Sequence, residues 1–485
     1  MISSMSHFRR QDACYLLALW VLFLFCLPSY WNSYFYYDDF NCFYLAQREG
    51  GLSLLGQVLN PFSGYFRPFY MLVYWGFWKV FFFNPLPFHL CSWALHLVNL
   101  VLIFRLLRAS SGSAYAAGLM GLLYAYQLTF REIFFNFTCL GEPLCALLML
   151  AGLHLYFFRR ETWHGLIGCS LLYFLALKTK EMAVTLPALL FLFELAMGRK
   201  SLPGLLPGAK SHYRQEAWNW LRIVAARLVV PILLTILYLA IKIPDMGRLV
   251  SEATPYSPSH PYFLDFSPGS VLKGYAWYWN VLLGWNFKPV VWLLFWLGMA
   301  GWLFWRNNRW GLFWLGFIFV AFVPVIGMVN RRLPYYWYIP FLGVAGMGSQ
   351  LIAWLQVKIG DALSARFMKG VEVLIFFGVG VYQWQHQEAI TRVQMIWVHG
   401  LTAENRRFVQ TFQTLPSPPH GSHVYFESVP RYFDSTAARS AVQVLFRDTT
   451  LNASIVSQCP STGACCLAVQ EGKVIPKRWP GLIFH

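Results

Sequence analysis

Two adjacent aspartates, Asp38 and Asp39, follow the first long hydrophobic segment of the chain. The sequence is otherwise poor in acids, with 21 Asp and Glu against 38 Lys and Arg among 485 residues, of which 57% are hydrophobic. Paired carboxylates at the edge of a membrane carry a high electrostatic cost, so groups placed there are more often retained for chemistry than for packing. The pair is therefore a candidate catalytic site, and a solvated loop charge or a helix cap is the alternative.

Several Lys and Arg residues lie at the ends of hydrophobic segments on the same predicted face as the aspartates, which is the outer face of the membrane. The positive-inside rule should deplete cations there, so their presence indicates a bound anion. Cations beside carboxylates suit a site in which a phosphate leaves while a carboxylate activates a nucleophile. The alternative is a set of snorkelling or salt-bridged helix ends, in which Lys180 with Glu181 and Arg131 with Glu132 pair locally or with each other. The cations are Arg67, Arg131, Lys178, Lys180, Arg331 and Arg332, and the acids at the same span ends are Glu132, Glu142 and Glu181.

The composition places these residues in a membrane protein. Mean hydropathy is +0.46, with 19% aromatic and 12% charged residues, which lies outside the range of soluble proteins. Apolar runs of roughly 17–22 residues recur, each able to cross a bilayer core of about 30 Å. The sequence thus predicts an all-α polytopic membrane protein with about eleven transmembrane helices. The predicted spans are 13–33, 88–107, 113–130, 140–158, 163–178, 182–198, 224–243, 287–305, 310–329, 335–355 and 370–384.

The basic residues set the predicted orientation. The net charge of +17 is spread over many short loops, which favours contacts with anionic lipid and excludes a basic nucleic-acid-binding domain. With the N-terminus in the cytoplasm, every inside loop is positive, starting with Arg9 and Arg10 before a retained signal-anchor helix. An odd number of spans then places the C-terminus and the two aspartates outside the cytoplasm.

Three segments between the spans have a predicted role. The first outer loop, 34–87, contains an aromatic amphipathic stretch, Phe69 to Phe83, which we expect to lie in the membrane interface as a helix. The second outer loop, 244–272, has five prolines and could be a mobile substrate lid or a passive connector. The inside segment 199–227 is basic and predicts a surface helix that contacts anionic headgroups.

The chain divides into a membrane domain, 1–385, and a less hydrophobic tail, 386–485. The tail predicts a small extracytoplasmic α/β domain with strands at Ser422 to Glu427 and Ala441 to Phe446. Outside the cytoplasm, a disulfide between Cys459 and either Cys465 or Cys466 is expected.

His89, His96 and Asn99 occupy one face of a predicted span. Such a stripe serves helix packing more often than it binds a metal ion.

The ordered motifs resemble those of the GT-C superfamily of membrane glycosyltransferases, and within it the protein O-mannosyltransferase-like branch with its bacterial relatives. Each motif is short, but five occur in family order on the predicted outer face, and the resemblance covers about residues 10–385. The motifs are Tyr37-Asp-Asp39, Tyr65-Phe-Arg-Pro-Phe69 with Pro87-Phe-His89 to Asn99, Gly121 to Glu132, Ala176-Leu-Lys-Thr-Lys-Glu181 to Pro187, and Arg331 to Pro340.

The resemblance implies an inverting transferase that takes a sugar, mannose or another hexose or pentose, from a polyprenyl-phosphate carrier to an acceptor hydroxyl outside the cytoplasm. It implies that a carboxylate of the first outer loop is the base or a metal ligand, so a divalent cation held by Asp38 and Asp39 is one possibility. Either aspartate could take the proton. Glu132 would orient the acceptor or a metal, and Arg67, Lys180 and Arg332 would bind the phosphate together with the other outer cations.

The sequence leaves open both the acceptor molecule and the class of protein. A glycolipid or polysaccharide could replace a protein acceptor, because the loop 244–272 and the tail would select it. A lipid or sugar transporter predicts inverted repeats and charges deep in the membrane, whereas these charges gather at one rim. In a non-catalytic scaffold the acid pair would be incidental. A bacterial inner membrane is the favoured location.

Overall fold

A computed structural model of the protein describes residues 10–24, 33–197, 211–251, 263–360, 364–431, 433–460, 465–470 and 472–479. Helices dominate these ranges, and short 3-10 turns separate several of them at one end of the bundle. The helices before the second outer loop are α1 (Arg10–Leu24), α2 (Tyr37–Glu49), α3 (Gly51–Leu59), α4 (Pro68–Phe81), α5 (Leu86–Ser111), α6 (Ala114–Ala125), α7 (Glu132–Phe135), α8 (Gly141–Arg159), α9 (Trp163–Leu177), α10 (Leu186–Met197) and α11 (Ser211–Ser251). Those after it are α12 (Pro268–Leu283), α13 (Pro289–Trp305), α14 (Arg309–Ile326), α15 (Phe341–Gly360), α16 (Ala365–Phe412) and α17 (Ser435–Leu445).

Each of the eleven predicted spans overlaps a helix of the described residues, but 113–130 and 335–355 are interrupted by turns, and residues 25–32 of the first span lie outside the described residues. Within the described ranges, four helices are long and apolar enough to cross a membrane by length and composition, namely Leu86–Ser111, Phe137–Arg159, Gln215–Ile243 and Arg309–Ile326. Large apolar side chains such as Leu233, Ile236 and Leu294 are exposed on the outside of the bundle, where a bilayer would cover them. The protein is an integral membrane protein, and crossings beyond these four stay predictions.

The histidine stripe packs helices together. The Nδ1 atom of His96 lies 2.8 Å from the hydroxyl of Tyr338, to which the amide of Asn99 also donates at 3.1 Å. His89 bonds the carbonyl oxygen of Phe134 at 2.9 Å and the hydroxyl of Ser33 at 3.0 Å. No metal-ligating group of three or more side chains within the described residues includes these histidines. The packing interpretation therefore accounts for the stripe.

The first outer loop is mostly helical. Phe69 to Phe81 of the predicted amphipathic stretch lie in α4, which ends before Phe82, and the aspartates lie in the first turn of α2. The location of α4 in the membrane interface stays a prediction. The predicted second outer loop begins within α11, which continues past Pro244 to Ser251. Residues 252–262 of that loop lie outside the described residues, as do residues 198–210 of the basic inside segment.

The tail contains the predicted α/β unit. Its sheet has the order β2-β1-β3-β4, where β1 is His423–Phe426, β2 Asn452–Ile455, β3 Cys465–Gln470 and β4 Lys473–Arg478. β1 runs parallel to β2 and β3, and β4 is antiparallel to β3. Helix α16 runs without a break through the predicted boundary at 385. A disulfide joins Cys459 to Cys466, one of the two expected pairings.

The strand predicted at Ala441 to Phe446 is wrong, because Ala441 to Leu445 belong to helix α17. The run of small and apolar residues from Ala437 onwards buries Ala437, Ala438, Ala441 and Val442, which follows the helical period of 3.6. The side chain of Asp434 accepts the backbone N–H of Ala437 at 2.7 Å and caps this helix. Asp434 precedes the segment Ala441 to Phe446, so a prediction made from that segment alone does not include the helix cap.

The tail and the first outer loop share one hydrophobic core. Phe40 of α2 packs against Phe433, with ring centroids 5.3 Å apart, and both belong to a buried cluster that includes Phe408 of α16. The amide of Asn405 donates to the carbonyl oxygen of Phe35 at 2.9 Å. The tail thus buttresses the segment that carries the two aspartates.

Candidate active site

Asp39 is a buried helix cap. Its carboxylate accepts the backbone N–H of Tyr36 at 2.6 Å and the hydroxyl of Tyr74 at 2.5 Å, so it ties the start of α2 to α4. Burial raises the pKa of Asp39 to about 7, against the opposing effect of the Tyr74 hydrogen bond. The capping alternative from the sequence describes this residue.

Asp38 lies in a different environment. Consecutive helical residues point about 100° apart, so Asp38 faces away from the Tyr74 contact. Burial raises the pKa of Asp38, the guanidinium of Arg331 opposes that rise, and the carboxylate of Asp434 adds to it. Within the described part of the chain its carboxylate has no hydrogen bond. Asp38 is therefore the aspartate with oxygens open to a reacting group.

Glu132 also lies near Arg331. It accepts a hydrogen bond from the amide of Asn136 at 3.2 Å. Burial raises the pKa of Glu132, against the Asn136 hydrogen bond and the charges of Arg131, Arg331 and Lys180. Arg331 thus interacts with both Asp38 and Glu132, and it links the two predicted catalytic acids.

Lys180 is buried and forms an ion pair with Glu142, at the start of α8. Its ammonium also lies 5.6 and 5.5 Å from the ring centroids of Tyr335 and Tyr336. The local pairing with Glu181 considered from the sequence is therefore wrong.

Arg67 is the partner of Glu181. Its Nη2 atom lies 2.6 Å from one carboxylate oxygen, and Nε lies 3.1 and 3.2 Å from the two oxygens. Burial alone would raise the pKa of Glu181, but the charge and hydrogen bonds of Arg67 bring it below its ordinary value. Arg67 itself is in the left-handed region, with φ 50° and ψ 55°, which costs energy for a residue other than glycine. The ion pair holds the guanidinium in this position.

Arg332 differs from the other cations. Its Nε atom is buried and has no hydrogen-bond partner within the described residues. Electrostatic interaction with Tyr278 places it near α12. A buried N–H without an acceptor is costly, so this atom is suited to receive an oxygen anion.

Lys178 stands apart from this group. Its ammonium donates to the carbonyl oxygen of Asn60 at 2.8 Å, beside Lys242 of α11. Apart from Asp39 and Arg332, the other predicted residues are linked by the contacts and electrostatic interactions above into an array of alternating sign: Asp38, Arg331, Glu132 with Arg131, Lys180, Glu142, Arg67 and Glu181.

Sequence reasoning missed several residues of this region. Nothing in the sequence distinguishes Tyr74 from the other tyrosines, of which there are 26 in total. Tyr335 and Tyr336 lie within the motif Arg331 to Pro340, but no charge marks them as site residues. Lys242 could have been found, because it is a cation at the outer end of a predicted span, the same signal that selected Lys178.

A divalent cation at the aspartate pair stays a prediction. Each oxygen of Asp39 already accepts one hydrogen bond, from Tyr36 or from Tyr74, so Asp38 is the carboxylate of the pair with fewer contacts to give up. In the described ranges the group with metal-ligating geometry is Glu427, Cys459 and Cys466, in the tail, and its two sulfurs form the disulfide.

No protein-family model matches the sequence, and no curated protein matches it. Solved structures align over most of the chain. ArnT from Cupriavidus metallidurans in the apo state has 15% identity and a TM-score of 0.48, covering 92% of this chain and 86% of that one. The archaeal oligosaccharyltransferase AglB from Archaeoglobus fulgidus, in complex with an inhibitory peptide and a dolichol phosphate, has 11% identity and a TM-score of 0.47, covering 91% and 64%. ArnT bound to undecaprenyl phosphate has 13% identity and a TM-score of 0.44, covering 94% and 92%. Alignments at these scores do not carry a functional argument, which rests on the residues of the site.

Proposed function

We propose that the protein is an inverting membrane glycosyltransferase that moves a sugar from a polyprenyl-phosphate carrier to an acceptor hydroxyl. The observation that carries the proposal is the array of alternating charges that joins Asp38 to Arg331, Glu132 and Lys180 at the ends of apolar helices. A reaction with a proton to remove and an anionic leaving group needs both signs of charge within one site.

Asp38 is the proposed base that acts on the acceptor hydroxyl. The acceptor oxygen attacks the anomeric carbon of the sugar, and its proton passes to the open carboxylate of Asp38. Arg331 favours the ionised form of Asp38 that can take the proton, while partial burial keeps it more basic than a solvated aspartate. General-base assistance of this kind contributes about 10²–10⁴-fold to a rate. Asp39 holds α2 in place through its cap.

The leaving-group side falls to the cations. The bond between the anomeric carbon and the phosphate oxygen breaks, and its electron pair stays on the phosphate of the lipid carrier. Arg332, with its unpartnered buried Nε, and Lys180 are the groups that we assign to this charge. Arg67 supports them from its ion pair with Glu181, and its N–H groups beyond that pair can share an anion. The carrier's chain would lie among the apolar helices of the bundle.

The first test is transfer itself. Purified protein in lipid nanodiscs is given radiolabelled polyprenyl-phosphate sugars, one hexose or pentose at a time, with protein and glycolipid acceptors from the host membrane. Wild type should release the polyprenyl phosphate and label one acceptor class. Arg332→Gln should lose at least tenfold in kcat/KM, whereas Arg431→Gln, at an exposed site in the tail, should match wild type. Consumption of none of the donors by folded wild type would refute the proposal.

A further inference from the structure

A second cationic site lies outside the alternating array. Lys178 and Lys242 line a shallow groove between α9 and α11, a cleft that encloses only about 10 Å³ and is otherwise open to the surroundings. Apolar side chains form its walls, and the described lining includes no acidic side chain. The wall residues are Phe174 and Leu177 of α9, and Leu234, Leu237, Tyr238 and Ile241 of α11.

Both lysines hold the same loop of backbone. Lys178 donates to the carbonyl oxygen of Asn60, and Lys242 donates to those of Gly64 and Tyr65 at 2.6 and 2.8 Å. In addition, the backbone N–H of Phe69 donates to the carbonyl oxygen of Lys178 at 3.0 Å. This loop leads directly into Arg67, whose left-handed backbone needs support from its surroundings. The two ammonium groups repel each other as like charges, so an anion between them would stabilise the arrangement.

The two lysines contact different partners from Lys180, although Tyr238 of the cleft wall lies near Arg67 and Glu181. Lys180 reaches Glu142 and the ring of Tyr335, whereas Lys178, two residues earlier, reaches the loop at Asn60. Leu233 and Ile236 of α11, beside the cleft wall, are more than half exposed, so this side of the helix faces the bilayer. An occupant can therefore enter from the membrane with its headgroup at the level of the lysines.

We propose that this cleft binds an anionic phospholipid, with its phosphate between Lys178 and Lys242 and an acyl chain between α9 and α11. Charge complementarity selects the headgroup, and the apolar walls select the chain. A bound phospholipid would hold the loop from Asn60 to Tyr65 and thereby the backbone of Arg67. Binding at this cleft does not depend on the proposed transferase activity.

The test measures lipid binding and thermal stability on delipidated full-length protein. Phosphatidylglycerol should raise the melting temperature of wild type by several degrees, and phosphatidylcholine should raise it much less. The double variant Lys178→Gln/Lys242→Gln should lose most of this response, while Lys79→Gln, an exposed lysine of the same outer loop, should keep it. Leu237→Trp, which fills the cleft and leaves the lysines, should reduce the response as well.

Native mass spectrometry then identifies the occupant. One phosphatidylglycerol should remain bound to wild type and dissociate at least tenfold more readily from the double variant, whose folding is checked by circular dichroism and gel filtration. Equal retention by both proteins, or equal retention of phosphatidylcholine, would overturn the site. Displacement of phosphatidylglycerol by equimolar polyprenyl phosphate would overturn the choice of occupant. Loss of lipid binding with normal transfer, or the reverse, separates this site from the proposed reaction.

Discussion

At the scale of single residues, the neighbouring aspartates Asp38 and Asp39 differ in burial and in hydrogen bonding. Asp39 is buried and each of its oxygens accepts a hydrogen bond, whereas Asp38 is partly buried and lies near Arg331. The sequence treats them alike, since it holds no information about which carboxylate meets Tyr74, a residue 35 positions away from Asp39.

Replacing Asp39 by Asn should stabilise the protein at alkaline pH. Burial raises the pKa of Asp39 to about 7, so the protonated form is favoured in the folded protein. The stability that protonated Asp39 contributes to the folded protein is therefore fully present below the pKa of the unfolded chain, near 4. It is lost as the pH rises through the folded pKa of about 7. Asn retains an acceptor for the N–H of Tyr36 and carries no charge. The variant should gain stability over wild type at pH 8, by at most on the order of 4 kcal/mol, and less than half as much at pH 5. Thermal unfolding at the two pH values checks this, and a pH-independent difference would contradict it.

Replacing Arg331 by Gln should change the pH dependence of transfer. Arg331 lowers the pKa of Asp38 against the effect of burial, so its loss raises that pKa. A base must be deprotonated to act, and the acidic limb of the profile of kcat/KM should therefore move to higher pH. Arg306→Gln, a cation on the predicted inner side, is the control. An unmoved limb with a merely lower plateau would show that Arg331 does not act on the base.

At the scale of elements, the helices follow from the sequence more closely than their contacts do. Long apolar runs predict a helix at each of the eleven positions, because burial in lipid demands continuous backbone hydrogen bonding. Within the described residues, four helices are long and apolar enough to cross a membrane. The α/β tail is predicted as a class, but Ala441 to Leu445 are helical because a cap at Asp434 acts from outside that window. The positions of charged residues at the span ends predict which residues belong to the candidate site. The pairing of Arg67 with Glu181, 114 residues apart, depends on tertiary packing and is not predicted.

The contact between the tail and α2 yields a prediction at this scale. Asn405→Ala removes the donor to the buried carbonyl oxygen of Phe35 and leaves that oxygen unsatisfied. The expected cost is about 1–3 kcal/mol. Melting temperature should fall, and limited proteolysis should cleave the tail sooner, because the shared core is weakened. Gln410→Ala, at an exposed position of the same helix, provides the matched control. Unchanged proteolysis in Asn405→Ala would show that this contact does not fasten the tail.

At the scale of the whole molecule, the charged residues of the candidate site gather where helices end. A transporter would instead be expected to place its charges along a path through the membrane. The tail packs on the loop that carries Asp38, and the two share one buried apolar cluster. The orientation of that face, with the N-terminus inside and the tail outside, stays a prediction from the distribution of Lys and Arg.

The most direct measurement is the single-turnover rate of transfer by Asp38→Asn from the donor that wild type consumes. Asn has nearly the shape of Asp and cannot take a proton at neutral pH, so the rate should fall by about 10²–10⁴-fold while donor binding stays within a few-fold of wild type. Glu49→Gln, a carboxylate at the other end of α2, should transfer at the wild-type rate. Undiminished transfer by folded Asp38→Asn would contradict the assignment of Asp38 as the base.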